Sequence, residues 1–204
     1  MRNGHHPLDL ALVAASDRAP EPSPAERAVA DLLRALGQDP SSDGLRETPR
    51  RVAAAFEELL SPEPFRATTF ANDGGYDELV VVSGIAFSSL CEHHLLPFTG
   101  VAHVAYLPGE RIIGLSKLPR LVESRARRLQ VQESLTVEIA DWLERELRPR
   151  GAGVVIEAHH ACMGVRGVRQ PAACTSTSAL RGRVRDDPRT RQEFFELIGR
   201  RGSS

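Results

Sequence analysis

The sequence predicts an α+β fold in which a four-stranded antiparallel sheet carries its helices on one face. Two pairs of β-branched, apolar segments flank two amphipathic helical segments, so the order is strand, strand, helix, helix, strand, strand. Short links within each pair favour hairpins, and hairpin strands pair antiparallel. With 204 residues, of which 41% are hydrophobic, the chain is long enough to bury a core between such layers.

An N-terminal helical segment is predicted to precede this sheet. Ser23 and Glu26 form a capping-box pattern, and Gly37 ends the apolar stripe that follows. A second helix begins near Thr48. The predicted regions are a disordered tail at 1–22, a helical region at 23–75 and the principal domain at 76–204.

Hydrophobic periodicity locates the elements of the principal domain. The predicted strands are Glu78–Phe87, Thr99–Leu107, Val154–His160 and Ala172–Leu180. Arg111–Leu115 is expected to extend the same sheet. The predicted helices are Ser116–Leu129, Gln132–Leu147 and a final helix that begins after Asp187-Pro188. The second face of the sheet then needs cover from a partner subunit or from the N-terminal helices.

Composition excludes several classes of protein. A formal net charge of -1 gives no basic footprint for a nucleic-acid polymer. Three cysteines do not suit a disulfide-stapled secreted scaffold, which leaves metal binding or a reactive thiol. The longest apolar run, Leu10–Ala15, is too short to cross a membrane. We expect a cytoplasmic protein that binds neither nucleic acid nor membrane.

The near-neutral total charge conceals two halves of opposite sign. Residues 1–100 sum to -7 and residues 101–204 to +6. Much of the positive charge falls in two clusters, within Lys117–Arg128 and within Arg166–Arg185. A single arginine is usually a solvated surface residue, but two clusters in one half indicate a small polyanion such as a phosphate ester.

Two clusters of cysteine and histidine carry the strongest chemical signal, Cys91–His94 and His159–Cys162. Thiolate and imidazole are donors that zinc prefers, so the clusters resemble two halves of one metal site. Buried free thiols or a disulfide are weaker alternatives, because histidine accompanies both cysteines. A catalytic site with three protein ligands and a structural site with four both remain open at this point. The signature of zinc nucleobase deaminases is absent.

Several motifs follow one another along the chain: Glu47–Val52, Cys91–Phe98, Gly114–Leu118, Gln130–Glu133, Cys162–Val168, Thr175–Ser178 and Arg191–Phe194. Together they resemble the GTP cyclohydrolase I family over about residues 24–199. The resemblance implies the tunnelling fold of that family, with the same ββααββ order. It also implies conversion of GTP to formate and 7,8-dihydroneopterin triphosphate, the first step of folate and tetrahydropterin synthesis.

The resemblance further implies a zinc cofactor and specific catalytic residues. Carried over motif by motif, Cys91, His94 and Cys162 are the zinc ligands, and zinc makes water nucleophilic for attack on C8 of guanine. His160 corresponds to a general acid and base near N7, a role that suits imidazole because it titrates near neutral pH. His93 corresponds to a second proton donor near the ribose ring oxygen.

Further residues match substrate contacts of the family. They are Gln132 and Glu133 for guanine, Ser116 for the ribose, and Lys117, Arg120 and Arg166 for the triphosphate. The Glu133 carboxylate can accept two hydrogen bonds from the N1–H and 2-amino groups of guanine, a pattern that adenine lacks. The three cations agree with the charge clusters. The resemblance also implies a homodecamer whose active sites lie between subunits.

A few positions depart from the family pattern or match no role in it. Ser124 and Arg125 stand where the family usually has an apolar and an aromatic residue, which puts the packing of that helix face in question. His159 lies beside His160, and the spacing to Cys162 favours His160. Cys174 matches no functional role.

Two other functions compete with this interpretation. One is another pterin or deazapurine enzyme on the same scaffold. The other is a zinc-stabilised module without catalysis, whose fourth ligand would be His93, His160 or Cys174. The complete set of zinc, guanine and phosphate residues argues against both.

Overall fold

The computed structural model describes residues 21–199, so the predicted disordered tail lies almost wholly outside the described residues. Two units divide the chain, residues 1–54 and residues 55–204. The boundary predicted between residues 75 and 76 stays a prediction.

The first unit contains helix α1 (Pro24–Ala35) and the start of helix α2 (Thr48–Leu59). The predicted N-cap is present, since the Ser23 hydroxyl accepts a hydrogen bond from the Glu26 N–H at 3.2 Å. Within the described chain α1 has no buried residue, and Leu32 and Leu36 are 58% and 66% exposed. Two residues of the predicted apolar stripe are therefore exposed, whereas Val29 and Leu33 are half-buried.

The second unit contains the sheet and the remaining helices. Its strands are β1 (Thr69–Ala71), β2 (Val80–Cys91), β3 (Pro97–Leu107), β4 (Arg111–Ile113), β5 (Leu129–Gln130), β6 (Gly151–His160) and β7 (Thr175–Arg181). Its helices are α3 (Lys117–Ala126), α4 (Gln132–Trp142), which Leu143–Leu147 continues as a π-helical turn, α5 (Ala161–Gly164), α6 (Gly182–Asp186) and α7 (Pro188–Gly199). Among residues 21–199, no helix combines the length and the apolar character that crossing a bilayer requires.

The four long strands lie side by side in the order β2-β3-β6-β7, and each pair is antiparallel. Helices α3 and α4 lie between the two strand pairs in the chain, as the sequence predicts. The predicted α+β class is therefore confirmed.

Two short elements differ from the prediction. Leu129, predicted as the last residue of a helix, instead forms a short strand with Gln130 that pairs in parallel with the end of β2, because the edge of β2 offers unpaired backbone groups. Arg111–Ile113, expected to extend the main sheet, instead pairs with Thr69–Ala71 in a separate two-stranded sheet. That partner segment follows Pro62 and Pro64 and shows too little periodicity for sequence patterns to identify it as a strand.

The core lies between the main sheet and helices α3 and α4. Alternate residues of β3 and β6 point into it, and the helices contribute fully buried side chains: Leu118, Leu121, Leu135, Ile139 and Leu143. A smaller cluster on the opposite face contains Leu79, Ala105, Leu107, Val155, Val184 and Phe194. Helices α6 and α7 therefore cover part of the face for which the sequence predicts a partner subunit or the N-terminal helices.

Strands β3 and β6 approach each other very closely at Gly100. A Cβ atom there would collide with the carbonyl oxygen of Glu157 and would lie 2.7 Å from the Cα of Ala158. Only glycine fits at this position without separating the two strands.

Replacement of Gly100 by alanine should lower the free energy of unfolding by about 3 kcal/mol or more, because β3 and β6 must move apart. Gly74→Ala is the matched control, since its Cβ would have no atom within 4 Å. Urea unfolding of both variants measures the difference. If Gly100→Ala is as stable as the control, the described register is wrong.

Candidate active site

A tight turn places His94 beside Cys91 at the end of β2. The Leu96 carbonyl oxygen accepts a hydrogen bond from the Cys91 N–H at 2.9 Å. The Cys91 carbonyl oxygen accepts from the N–H groups of His94 and Leu95 at 3.3 and 2.9 Å. Leu95 has a positive φ of 54°, which lets the chain reverse over these few residues. As a result, the Cys91 Sγ lies 3.7 Å from the His94 Nδ1.

The register of β3 with β6 brings the second cluster to this turn. Phe98 pairs directly with His160, and Cys162 lies in α5, immediately after β6. The donor atoms of Cys91, His94 and Cys162 consequently lie within 4.8 Å of one another. Two clusters far apart in sequence thus form one group of potential ligands.

The donor set fits a zinc ion. A zinc ion binds sulfur at about 2.3 Å and nitrogen at about 2.05 Å. At a tetrahedral angle, the bound sulfur and nitrogen atoms are then about 3.6 Å apart. The Cys91–His94 separation of 3.7 Å is close to that value. Burial and the nearby Cys91 thiol raise the pKa of Cys162. Two thiolates this close repel each other, and a bound divalent cation would offset that repulsion.

His160 is held on two sides. Its ring stacks on Phe98, with centroids 4.7 Å apart and planes 5° from parallel. Its Nε2 lies 2.8 Å from the Gln132 Oε1. Burial lowers the pKa of His160, and the Glu133 carboxylate partly opposes this shift. The imidazole is therefore neutral near pH 7 and fixed in place.

Gln132, the first residue of α4, is only 1% exposed and is hydrogen-bonded within the chain. Its Nε2 lies 3.0 Å from the Ile156 carbonyl oxygen, 2.9 Å from the Thr175 carbonyl oxygen and 3.1 Å from the Thr177 Oγ1. The prediction that Gln132 contacts guanine stays a prediction, and its amide already has partners on both sides.

Glu133 and His93 have exposed side chains near this centre. Glu133 lies in the first turn of α4, where its charge acts on His160. The His93 Nδ1 lies 3.9 Å from the Cys91 Sγ, and its Nε2 lies 3.8 Å from a carboxylate oxygen of Glu92. Both side chains are accessible to a bound molecule.

The residues predicted to bind ribose and triphosphate fall into two places. Lys117 and Arg120 line a cleft of about 540 Å³ together with Arg66. Ser116 is the N-cap of α3, and its hydroxyl makes no capping hydrogen bond. Arg166 lies instead in the segment after α5, close enough to Cys162 for its charge to oppose the raised pKa of that thiol. Arg166 thus lies near the cysteine and histidine cluster, whereas the lining of the Lys117–Arg120 cleft includes none of the residues of that cluster.

The two departures from the family pattern have different outcomes. Ser124 is buried, and its hydroxyl donates a hydrogen bond to the Leu121 carbonyl oxygen at 2.8 Å. The Nε of Arg125 is buried and has no hydrogen-bond partner among residues 21–199. The helix therefore accommodates the serine but leaves a polar atom of the arginine unsatisfied.

Three residues of this centre have no role predicted from the sequence: Phe98, Thr136 and Thr177. Phe98 and Thr177 lie inside the recognised motifs. Thr136 lies one helical turn after Gln132, and that spacing is the only sequence signal that places the two residues on one helix face.

Comparisons with known proteins agree with the motif pattern. The family model described as GTP cyclohydrolase I matches residues 25–199. GTP cyclohydrolase 1 of Aquifex aeolicus is 54% identical over 173 residues, which cover 85% of this chain and 94% of that protein. GTP cyclohydrolase 1 of a Sulfurihydrogenibium species is 53% identical over 173 residues, covering 85% and 92%. GTP cyclohydrolase 1 of Streptomyces avermitilis is 55% identical over 181 residues, covering 85% and 89%.

Phenylarsine oxide, which bridges neighbouring thiols, should bind the metal-free protein across Cys91 and Cys162, because their sulfur atoms lie within 4.8 Å. A maleimide added afterwards should then label only the exposed Cys174. Mass spectrometry counts the labels, and Cys174→Ser, which should take none, is the control. Labelling of all three cysteines would show that the two sulfurs are not adjacent.

Proposed function

The chain belongs to the GTP cyclohydrolase I family and shares its hydrolase activity, and we propose that it carries out this activity with a zinc ion held by Cys91, His94 and Cys162. The proposed reaction opens the imidazole ring of the guanine in GTP, and yields formate and 7,8-dihydroneopterin triphosphate. The convergence of three metal donors and a neutral His160 at one end of the β3–β6 pair carries the proposal.

The three donors suit a catalytic zinc ion better than a structural one. Cys91 is buried and Cys162 half-buried, whereas His94 is exposed, so solvent reaches one side of the set. Three protein ligands with an open side are typical of catalytic zinc sites. Zinc bound there supplies Lewis-acid activation of water near neutral pH.

His160 is the proposed proton-transfer group at the guanine ring. Since burial lowers its pKa, the imidazole is neutral near pH 7 and can accept a proton from the substrate or from water. Once protonated, the same ring can return the proton at a later step. The stack on Phe98 and the hydrogen bond to Gln132 hold the ring in position, so little reorganisation accompanies each transfer.

Glu133 is the proposed reader of the guanine edge. The Glu133 carboxylate is exposed and lies close enough to His160 to affect its pKa, which supports a position beside the same base. Its two oxygens can accept hydrogen bonds from N1–H and from the 2-amino group. Adenine presents an acceptor at N1, so the same carboxylate would disfavour ATP.

Cations and hydroxyls are the proposed contacts of the rest of the nucleotide. Lys117, Arg120 and Arg166 would bind the triphosphate, because among residues 21–199 none of their side chains is engaged in an ion pair or hydrogen bond. Ser116, with its uncapped hydroxyl, would bind the ribose. His93 would donate a proton near the ribose ring oxygen.

A homodecamer with active sites between subunits remains part of the proposal. Association would cover the exposed Leu32 and Leu36 of α1. It would also allow the cysteine and histidine cluster of one subunit to act with the Lys117–Arg120 cleft of another. A cytoplasmic location and supply of folate or tetrahydropterin synthesis are proposed on the family resemblance alone.

Turnover of GTP tests the proposed function. Zinc-loaded protein is incubated with GTP, or with ATP as the control substrate, and the products are identified by mass spectrometry. We expect formate and 7,8-dihydroneopterin triphosphate in equal amounts, and turnover of ATP at least about 100-fold slower. A different pterin or a deazapurine product would support the alternative enzyme, and zinc binding without any product would support the non-catalytic module.

Replacement of Cys162 by serine should remove bound zinc and GTP turnover together, because a thiolate ligand is lost. Cys174→Ser is the matched control and should keep one zinc ion per chain and normal turnover, since Cys174 lies outside the donor set. Plasma mass spectrometry measures the zinc content. Full zinc content and turnover in Cys162→Ser would overturn the ligand assignment.

Glu133→Gln should lower kcat/KM for GTP by about 100-fold. The glutamine has an NH2 group in place of one carboxylate oxygen, so one guanine donor loses a charged hydrogen bond of about 3 kcal/mol. Glu146→Gln changes another exposed glutamate and should leave kcat/KM unchanged. Equal values in the two variants would exclude Glu133 from guanine binding.

A further inference from the structure

The side-chain amide of Gln132 has one possible orientation. Its Nε2 faces the backbone carbonyl oxygens of Ile156 and Thr175 at 3.0 and 2.9 Å, and a carbonyl oxygen can only accept a hydrogen bond. Exchange of the amide oxygen and nitrogen would place an oxygen against these two oxygens. The Gln132 Oε1 must therefore face the other way, toward His160.

Two threonine hydroxyls complete this arrangement in a defined direction. The Thr136 Oγ1 lies 2.7 Å from the Gln132 backbone carbonyl oxygen, so it donates its only proton there. The Thr177 Oγ1, 2.7 Å from the Thr136 Oγ1, must then donate its proton to Thr136. With that proton engaged, Thr177 can only accept from the Gln132 Nε2 at 3.1 Å. Because the amide nitrogen carries only two protons, Thr177 is a third acceptor that shares one of them with a carbonyl oxygen.

The same hydrogen bonds determine which nitrogen of His160 carries a proton. The Gln132 Oε1 only accepts, so the His160 Nε2, 2.8 Å away, must be protonated. A neutral imidazole has a single N–H, which leaves Nδ1 with a free lone pair. The parallel stack on Phe98 fixes the plane of the ring but does not select either nitrogen. Among residues 21–199, Gln132 is the only hydrogen-bond partner of the ring, so the selection comes from Gln132.

We propose that Gln132 and Thr177 are positioning residues that hold His160 in the tautomer protonated on Nε2. Gln132 is 1% exposed and its polar side-chain atoms are engaged, so its side chain serves His160 rather than the substrate. The His160 Nδ1 is then the atom that accepts a proton during the reaction. This last step rests on the proposed function, whereas the tautomer does not.

The tautomer is measured by ¹⁵N NMR of zinc-loaded protein that contains ¹⁵N-labelled histidine, at a pH where imidazole is neutral. We expect protonation on Nε2 of His160 in the parent protein and in Thr177→Ser, which keeps the hydroxyl. Gln132→Met, and to a smaller extent Thr177→Val, should give a mixture of both neutral tautomers. Ser178→Ala, at the exposed neighbour of Thr177 on β7, is the control and should give the parent spectrum.

Steady-state kinetics with GTP separates positioning from substrate contact. Gln132→Met should lower kcat by about 100-fold and change KM by less than about 2-fold, since acid–base catalysis contributes about 100-fold or more. Thr177→Val should lower kcat by about 10-fold, and Thr177→Ser should restore it. A higher KM for Gln132→Met, with kcat and the tautomer unchanged, would overturn the proposal and make Gln132 a substrate contact.

The outcomes also separate this inference from the proposed function. If GTP is not turned over but the His160 tautomer responds to the variants as described, the positioning role stands and the proposed reaction fails. If GTP is turned over normally and the parent protein carries the proton on Nδ1 of His160, the proposed reaction stands and the positioning role is wrong.

Discussion

The antiparallel register of β3 against β6 is the constraint on which the site depends. Because Phe98 lies opposite His160, the turn after Cys91 meets the segment that contains Cys162. A slip of one residue would turn His160 to the other face of the sheet. Gly100 permits the close strand approach that this register requires. The register of the sheet therefore determines where the potential metal donors Cys91 and Cys162 meet, and the turn after Cys91 adds His94.

Helix α4 connects this register to the orientation of His160. The hydrogen bonds from Gln132 to the Ile156 and Thr175 carbonyl oxygens attach the start of the helix to β6 and to the beginning of β7. The opposite end of the same amide holds His160. A buried amide with every partner in place is costly to disturb, because any unpaired polar atom would lose its hydrogen bond without access to water. The packing of α4 and the orientation of His160 thus depend on the same few contacts.

Local signals in the sequence predicted much of this structure. Periodicity located the long strands and the helices, and Ser23 marked the first helix. The Cys91 and Cys162 motifs identified the potential metal donors that the structure brings together. The short strands β1 and β5 escaped prediction, because two or three residues carry no period and pair only through tertiary contacts. For the same reason β4 was expected in the main sheet, whereas it pairs with β1. The Thr136–Thr177 contact joins a helix to a strand 41 positions later, and no local pattern encodes such a pairing.

The central claim is that the two clusters joined by β3 and β6 hold one zinc ion, which keeps one coordination position open. X-ray absorption at the zinc edge tests this claim most directly. For zinc-loaded protein we expect two sulfur donors, one imidazole nitrogen and one further light atom that exchanges with solvent. When the Cys162→Ser variant is loaded at a high zinc concentration, we expect its zinc ion to have one sulfur donor fewer than in the parent protein. Four protein donors in the parent protein, or a single sulfur, would contradict the claim.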